Sequence, residues 1–331
     1  MKLAPSPEQR QFAEAIGDLL AASDLTAVNR DWAAGNPAPG LAVWRRLADL
    51  GVTALAIPAT FGGLAADPVD LVIACEALGY HALPGPVAES IAAVPTLLSR
   101  LGNTERLPEL AAGATIATLG APPQLPYAAD ADVAGLVLLA DGEELRLGVP
   151  ENEWPSVDET RRVFGLRAGA LLARGPAVAH ARARALDLGA LACAAQLLGA
   201  GHALLDTSVR YAGQRVQFGR AIGQFQAVKH RLADVAIGLE FARPLLYAAA
   251  VALGGDAATA GRDTSAAKVA CAEAAQRAAR AALQVHGAIG YTLEGGVARQ
   301  LTKIRALIPA WGTPAAHRAR IMAALADGAV S

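Results

Sequence analysis

The chain has 331 residues, of which 53% are hydrophobic and 18% charged, and its formal net charge is −1. That length allows a large core and more than one folding unit. Because 29 basic and 30 acidic side chains are spread along the chain, no basic field is available for nucleic acid or an anionic membrane surface, and we expect neither as a partner.

The cysteines give no support for a disulfide framework or a metal site. Cys75, Cys193 and Cys271 are odd in number, far apart and set in apolar helical patterns. The first residues lack the apolar core of a secretion signal. We therefore expect a cytoplasmic protein that binds no metal.

The first part of the chain predicts a helical unit. Ser6 and Gln9 have the spacing of a capping box, with Pro7 at the first helical position. Further helices are predicted over residues 41–50, 68–78 and 87–101, and Pro95 predicts a kink or break in the last of them.

Short apolar runs separated by Pro, Gly and Asp predict strands between about residues 115 and 179, with a hairpin turn at Asp141 and Gly142. A G-x-G-x-x-G loop before a helix is missing, which excludes a Rossmann domain. From about residue 183 the pattern is helical to the end. The 18 residues between Asp187 and Asp206 carry no charge, and glycines interrupt them, so we predict a buried bundle helix and not a membrane span.

The predicted fold class is mostly α with a small β domain. An N-terminal helical domain covers residues 1–112, a reduced β domain 113–180, and a C-terminal four-helix bundle 181–331. The last helix is predicted to start at Thr313, with Ile321, Met322 and Leu325 facing inward. His286 is predicted to be packed or bridged by solvent, and His230 and His317 to lie on the surface.

A helix–loop–helix corner lies between Tyr211 and Asp234. Arg215 stands where the first helix ends, followed by Gln217 and Phe218, and freed backbone amides accompany them. This combination suits a phosphate-bearing ligand, because guanidinium and N–H groups bind phosphate oxygens. The alternative is a capped helix end with a solvated arginine.

Three motifs give the chain a family resemblance. RVQFGRAIGQFQAVKHRLAD from Arg215, SAAKVACAEAAQRAARAALQVHGAIGYTLE from Ser265, and the milder PATFGG from Pro58 closely resemble acyl-CoA dehydrogenases, which are FAD-dependent enzymes of this architecture. The resemblance covers the whole chain in outline and is sharp in the C-terminal half.

The resemblance implies that Arg215, Gln217 and Phe218 reach across a dimer interface to the FAD of a neighbouring subunit. It also implies that Gln284 and Gly287 hold the adenosine side of that flavin, although Ala288 replaces a glycine usual in the family. The alternative for Gln284 and Gly287 is a helix end with a glycine stop.

The family requires a carboxylate base beside the flavin, and the chain lacks it at both expected positions. Trp311 stands where Glu commonly precedes Gly-Thr, and Gly189 stands at the second position. Asp187 is the least implausible substitute, while Glu294 matches a Glu that is structural in the family. The Thr-Glu-Pro and Gly-Ser-Asp loop and the Trp-containing strand that hold flavin in cis are also missing between residues 115 and 179.

The favoured hypothesis is a non-catalytic subunit that completes the FAD site of a catalytic homologue in an α2β2 heterotetramer. Such assemblies resemble the acyl-CoA dehydrogenases of actinobacterial steroid side-chain degradation, which implies oxidation of an acyl-CoA to the 2,3-enoyl-CoA at the partner's site, with an electron-transfer flavoprotein or similar acceptor. Two alternatives remain: a self-sufficient dehydrogenase with Asp187 as base, and a scaffold relative without chemistry.

Overall fold

The computed structural model describes residues 4–292 and 296–328, so Glu294 lies outside the described residues. The helices are α1 Pro7–Ala21, α2 Leu25–Ala33, α3 Ala38–Asp49, α4 Pro68–Tyr80, α5 Val94–Leu101, α6 Leu107–Ala111, α7 Pro176–Gln214, α8 Gln226–Gly254, α9 Ala260–His286, α10 Ala298–Leu307 and α11 Pro314–Gly328. The strands are β1 Ala117–Gly120, β2 Ala128–Ala129, β3 Leu136–Asp141, β4 Glu144–Trp154, β5 Val163–Arg174, β6 Val216–Gln217 and β7 Arg220–Ala221. The fold is therefore mostly helical with a small sheet, as predicted.

The N-terminal helices begin and bend where the sequence indicates. Gln9 N donates to Ser6 Oγ at 3.2 Å and Ser6 N donates to Gln9 Oε1 at 2.9 Å, which completes the capping box of α1. The region around Pro95 is irregular and not broken, because one π-helical segment, Glu89–Ala93, leads directly into α5. Helix α2 was not predicted.

The middle unit is a five-stranded sheet with the order β1-β3-β4-β5-β2, in which β1 and β3 are parallel and the other neighbours antiparallel. Gly142 has φ +53° between β3 and β4, so the predicted hairpin turn is confirmed. The far half of β4 is exposed, and only the part of the sheet near β1 and β3 enters the main core.

Helix α7 is the central element, and it begins at Pro176, inside the range predicted for the β domain. Its most apolar stretch of 18 residues is 89% buried. The missing charges are therefore explained by a core helix, as predicted. It crosses α4 with the two backbones in contact. A Cβ at Gly199 would lie 1.9 Å from Glu76 O, so only glycine permits this crossing.

Helices α8, α9 and α11 pack with α7 into the predicted bundle, and the short α10, which was not predicted, closes one end. Helix α11 starts at Pro314 as predicted. The inward prediction for Met322 and Leu325 is wrong, because both are exposed. The surface prediction for His317 is also wrong, since it is buried against α9 and donates or accepts hydrogen bonds there.

Helix α8 carries an exposed apolar stripe made of Ile237, Phe241 and Leu245, which recur every four residues. By length and composition α8, like α7, could cross a membrane, which is weak evidence by itself. The most apolar stretch of 18 residues in α8 is only 39% buried, in contrast to the corresponding stretch of α7. The stripe is therefore an apolar surface that the bundle of this chain leaves uncovered.

Candidate functional site

A two-residue hairpin forms the corner between α7 and α8. Val216 pairs with Ala221 and Gln217 with Arg220, and the turn residues Phe218 and Gly219 have φ values of +53° and +80°. Two successive positive φ values are typical of a type I′ turn, which glycine and asparagine favour. A phenylalanine at the first position is strained, and such strain is often associated with function.

The side chains predicted to meet flavin all face solvent. Arg215 and Gln217 are exposed, and Phe218 is 91% exposed, which is unusual for a phenylalanine. Phe225 supports the hairpin from below: its ring lies 6.2 Å from that of Phe218, and the Arg220 guanidinium carbon lies 4.1 Å from its centroid. The hairpin thus presents a cation, an amide and an aromatic ring outward.

The second predicted group lies beside this corner. Gln284 is exposed on the last turn of α9, and Gly287 ends the helix with φ +61°, so the predicted glycine stop is present. His286 is buried and stacks on Tyr211 of α7, with ring centroids 4.3 Å apart and planes at 23°. Because this stack joins the two helix ends, the structure brings both motifs onto one surface. Their contacts with flavin remain predictions.

An arginine-rich cleft of about 770 Å³ adjoins the corner between α8, α9 and α11. Its charged lining residues are His230, Arg231, Asp234, Glu273, Arg277, Arg280 and Arg318. Cations outnumber the two carboxylates. The sequence analysis missed these residues, although Arg277, Arg280 and Gln284 have the spacing of one helical face.

The two altered base positions lie in contact although they are far apart in sequence. Gly189 is buried on α7, and the benzene part of the Trp311 indole rests directly on it. A Cβ at residue 189 would lie 2.1 Å from Trp311 Cζ3, so a side chain at position 189 and the indole exclude each other. The structure therefore shows neither a carboxylate nor room for one at this point.

Asp187 faces away from this contact and is held by an ion pair. Arg320 of α11 binds both of its oxygens, through Nη1 to Oδ1 and through Nη2 to Oδ2 at 3.0 Å. A bidentate guanidinium holds a carboxylate in a fixed orientation, which leaves it poorly placed to take a proton from a substrate.

The loop after β1 is closed upon itself. Ala121 and Leu125 exchange both backbone hydrogen bonds, at 2.7 and 2.9 Å. Arg182 of α7 donates to the Pro122 carbonyl and, at 3.1 Å, to Gln124 Oε1. These backbone and side-chain groups are thus bonded within the chain.

One expectation about the β domain needs correction. The sequence analysis found no Trp-containing strand, but Trp154 is the last residue of β4 and lies half exposed near Tyr127, with ring centroids 6.4 Å apart. Trp154 was missed because proline and three acidic or amide residues surround it, and period-two patterning breaks down there.

Comparisons with known proteins agree on one family. Residues 6–113 match the acyl-CoA dehydrogenase N-terminal domain, and residues 178–326 match the acyl-CoA dehydrogenase C-terminal domain. The chain is 35% identical over 263 residues to acyl-CoA dehydrogenase IpdE2 of Mycolicibacterium smegmatis, covering 76% of this chain and 78% of that protein. It is 32% identical over 300 residues to IpdE2 of Mycobacterium tuberculosis, covering 88% and 89%.

Solved structures share the fold at lower identity. The Tcur3481-Tcur3483 steroid ACAD G363A variant superposes with a TM-score of 0.81 at 23% identity, covering 98% of this chain and 99% of that one. The ChsE4-ChsE5 complex from Mycobacterium tuberculosis gives 0.81 at 22%, with the same coverage. Butyryl-CoA dehydrogenase of Megasphaera elsdenii gives 0.84 at 20%, covering 98% and 100%. With its relatives and its fold in agreement, the chain belongs to the acyl-CoA dehydrogenase family.

Proposed function

We propose that this chain is a non-catalytic subunit that completes the FAD site of a catalytic acyl-CoA dehydrogenase homologue. One observation carries the proposal: the corner with Arg215 and Phe218 faces outward, while both base positions are filled by the contact of Trp311 with Gly189. The chain has kept the surface that serves another subunit and lacks the groups that would serve its own substrate.

The outward surface fits the pyrophosphate and adenosine end of FAD. Arg215 offers a planar cation for a phosphate, Phe218 an aromatic face, and Gly287 an open backbone position where an added Cβ would touch nothing within 4 Å. The arginine-rich cleft beside it adds positive charge for an anionic ligand. When bound, FAD supplies the acceptor for the hydride that leaves the substrate.

The loop after β1, where this chain would have to hold the isoalloxazine ring, does not fit that ring. The Ala121–Leu125 turn uses its own backbone groups, and Arg182 fills the side toward α7. A ring bound there would have to displace bonds that are already made. The isoalloxazine is therefore held mainly by the partner, and FAD is shared between two subunits.

The partner class follows from the family and from an exposed surface. The stripe of Ile237, Phe241 and Leu245 gives an apolar face for subunit contact, which suits an α2β2 assembly. Two of the structures with this fold are named as pairs of different chains, and one of these is named a steroid ACAD. We propose a bulky CoA thioester, steroid side chains included, as substrate at the partner's site, an electron-transfer flavoprotein or similar acceptor, and a cytoplasmic location.

A self-sufficient dehydrogenase that uses Asp187 is the second candidate. The bidentate pair with Arg320 weighs against it, because that carboxylate is already committed. Replacing Asp187 by Asn tests it directly: loss of turnover in a chain that still folds would favour this candidate. The third candidate, a scaffold relative, predicts a heteromer without flavin.

The test of the main proposal is co-expression with a homologue that retains Glu before Gly-Thr. We expect a heteromer that binds FAD, and we expect Arg215→Ala to weaken its affinity for FAD at least about tenfold and thereby to lower its FAD content, since a charged hydrogen bond to phosphate contributes about 1.5–3 kcal/mol. Arg210→Ala is the matched control, because Arg210 is equally exposed on α7 but lies more than one turn earlier.

Flavin absorbance and circular dichroism are the two measurements. Unchanged FAD occupancy in Arg215→Ala would refute the role of the corner. Purification of this chain alone, with bound FAD and full turnover, would refute the non-catalytic assignment.

A further inference from the structure

The contact between Gly189 and Trp311 is tighter than ordinary packing of a side chain on a helix. Three ring atoms of the indole, Cζ3, Cε3 and Cη2, would lie 2.1 to 2.4 Å from a Cβ at residue 189. Trp311 is only 3% exposed, so its ring lies inside the protein and not across a groove. The Trp311 side chain thus occupies the space that the missing side chain at Gly189 leaves.

The backbone that carries Trp311 is strained and held. Trp311 has φ +61° and Gly312 has φ +96°. A bulky residue rarely adopts a positive φ, so other contacts must hold it there. His317 Nε2 donates to the Trp311 carbonyl at 2.9 Å, and its Nδ1 lies 3.1 Å from Ser265 Oγ.

A buried lysine fastens the same segment from α9. Lys268 is fully buried and donates from Nζ to the carbonyls of Leu307 and Ile308, at 3.2 and 2.9 Å. Cys193, one turn after Gly189 on α7, points its Sγ at the Leu307 carbonyl, at 3.4 Å. Side chains from α7, α9 and α11 therefore converge on residues 307–312, which we call the plug segment.

We propose that the Trp311 side chain fills an apolar pocket over Gly189. When this side chain is removed, the pocket binds an aromatic or acyl group of the size of indole. In the native chain the indole excludes such a group, and the plug segment keeps it in place. The proposal concerns this chain alone and does not depend on where flavin binds.

A double-mutant cycle tests the contact. Gly189→Ala should lower the unfolding midpoint of the full-length chain by more than about 3 °C, because the new methyl group collides with the indole. In a Trp311→Gly background the same change should not lower the midpoint, since alanine is the better helix former. If Trp311→Gly does not fold, Trp311→Ala, which also removes the ring, takes its place in the cycle.

Indole itself is the probe for the pocket. Apolar cavities in proteins bind small aromatic molecules, and binding to the folded state raises the unfolding midpoint. Millimolar indole should raise the midpoint of Trp311→Gly, or of Trp311→Ala, and leave the native chain unchanged. Trp154→Gly is the matched control, because Trp154 is half exposed and leaves no enclosed space.

Two results would each overturn the proposal. One is an equal loss from Gly189→Ala with and without the Trp311 indole, which would show that the two positions are not coupled. The other is the same indole shift in Trp311→Gly and in Trp154→Gly, which would show that no enclosed pocket was created.

Discussion

Individual residues at and around the predicted base positions take part in packing and hydrogen bonding. In the position where the family places a carboxylate, Trp311 fills space and its carbonyl accepts a hydrogen bond from His317. Lys268 is fully buried, yet it binds two backbone carbonyls and no substrate. Burial lowers the pKa of Lys268, because the charged amine is poorly solvated inside the protein. Its hydrogen bonds to the two carbonyls stabilise the charged amine and hold the segment that carries Trp311.

His317 provides a prediction about pH. Burial lowers the pKa of His317 from 6.5 to about 4, while Lys268, Arg320 and Asp187 act on it with smaller effects. Between these pKa values the unfolded chain binds the proton and the folded chain does not, so stability falls as the pH drops. We expect the native chain to lose about 2 kcal/mol more than His317→Gln between pH 7 and pH 5, by the linkage relation.

Chemical denaturation of both proteins at the two pH values measures this difference. His317→Gln is a suitable comparison because its amide can still donate to the Trp311 carbonyl. Other buried groups titrate in both proteins alike and cancel. Equal losses in the two proteins would mean that His317 is accessible to protons in the folded state.

At the scale of elements, the sequence predicts best where a local rule decides. The capping box at Ser6, the hairpin at Gly142 and the start of α11 at Pro314 all depend on a few neighbouring residues, and all are confirmed. The corner between α7 and α8 and the end of α9 at Gly287 lie where the sequence predicts them, whereas the short hairpin with Phe218 at its tip was not predicted.

The remaining features depend on contacts between distant parts of the chain. Met322 and Leu325 follow a helical apolar pattern, but α11 meets the bundle on one side only, so the pattern alone points them inward incorrectly. The contact of Gly189 with Trp311 joins residues that are more than a hundred positions apart, and no local spacing reveals it. The ion pair that commits Asp187 to Arg320 is equally non-local.

Helix α8 provides the prediction at this scale. Phe241 is 73% exposed at the centre of the apolar stripe, so Phe241→Glu removes no core contact and should leave the unfolding midpoint within about 2 °C of native. If the stripe contacts another subunit, a charge at its centre should weaken assembly by about 2 kcal/mol or more, because a buried charge without a partner is costly.

Sedimentation of the heteromer measures the assembly. Leu64→Glu is the control, since Leu64 is also an exposed apolar residue but lies outside the bundle. An assembly that tolerates Phe241→Glu as well as Leu64→Glu would show that the stripe is not part of a subunit contact.

The whole molecule combines a solvent-facing corner at Arg215 and Phe218 with interior contacts at the positions where the sequence analysis sought a base. Trp311 covers Gly189, Arg320 holds Asp187, and Arg182 fills the side of the loop after β1. These contacts come from different parts of the chain, so a single substitution does not reverse them. Under the proposed function, the missing base is therefore one of several differences from a catalytic subunit.

Restoring the base alone should consequently fail to restore catalysis. The double variant Gly189→Glu with Trp311→Gly places a carboxylate on α7 and removes the indole that would collide with it. We expect this variant, purified without a partner, to fold and yet to bind no FAD and to show no turnover of an acyl-CoA above the native chain. The physical reason is that a base accelerates proton removal only beside a bound hydride acceptor, and we propose that this chain alone does not hold the flavin ring, because the Ala121–Leu125 turn is bonded within the chain. Gly189→Glu alone is the comparison for folding. Because the indole still occupies the space of the new side chain, this single variant should be less stable than the double variant. Flavin absorbance and an acceptor-dye assay give the measurements, and FAD-dependent turnover by the double variant alone would show that this chain retains a complete flavin site of its own.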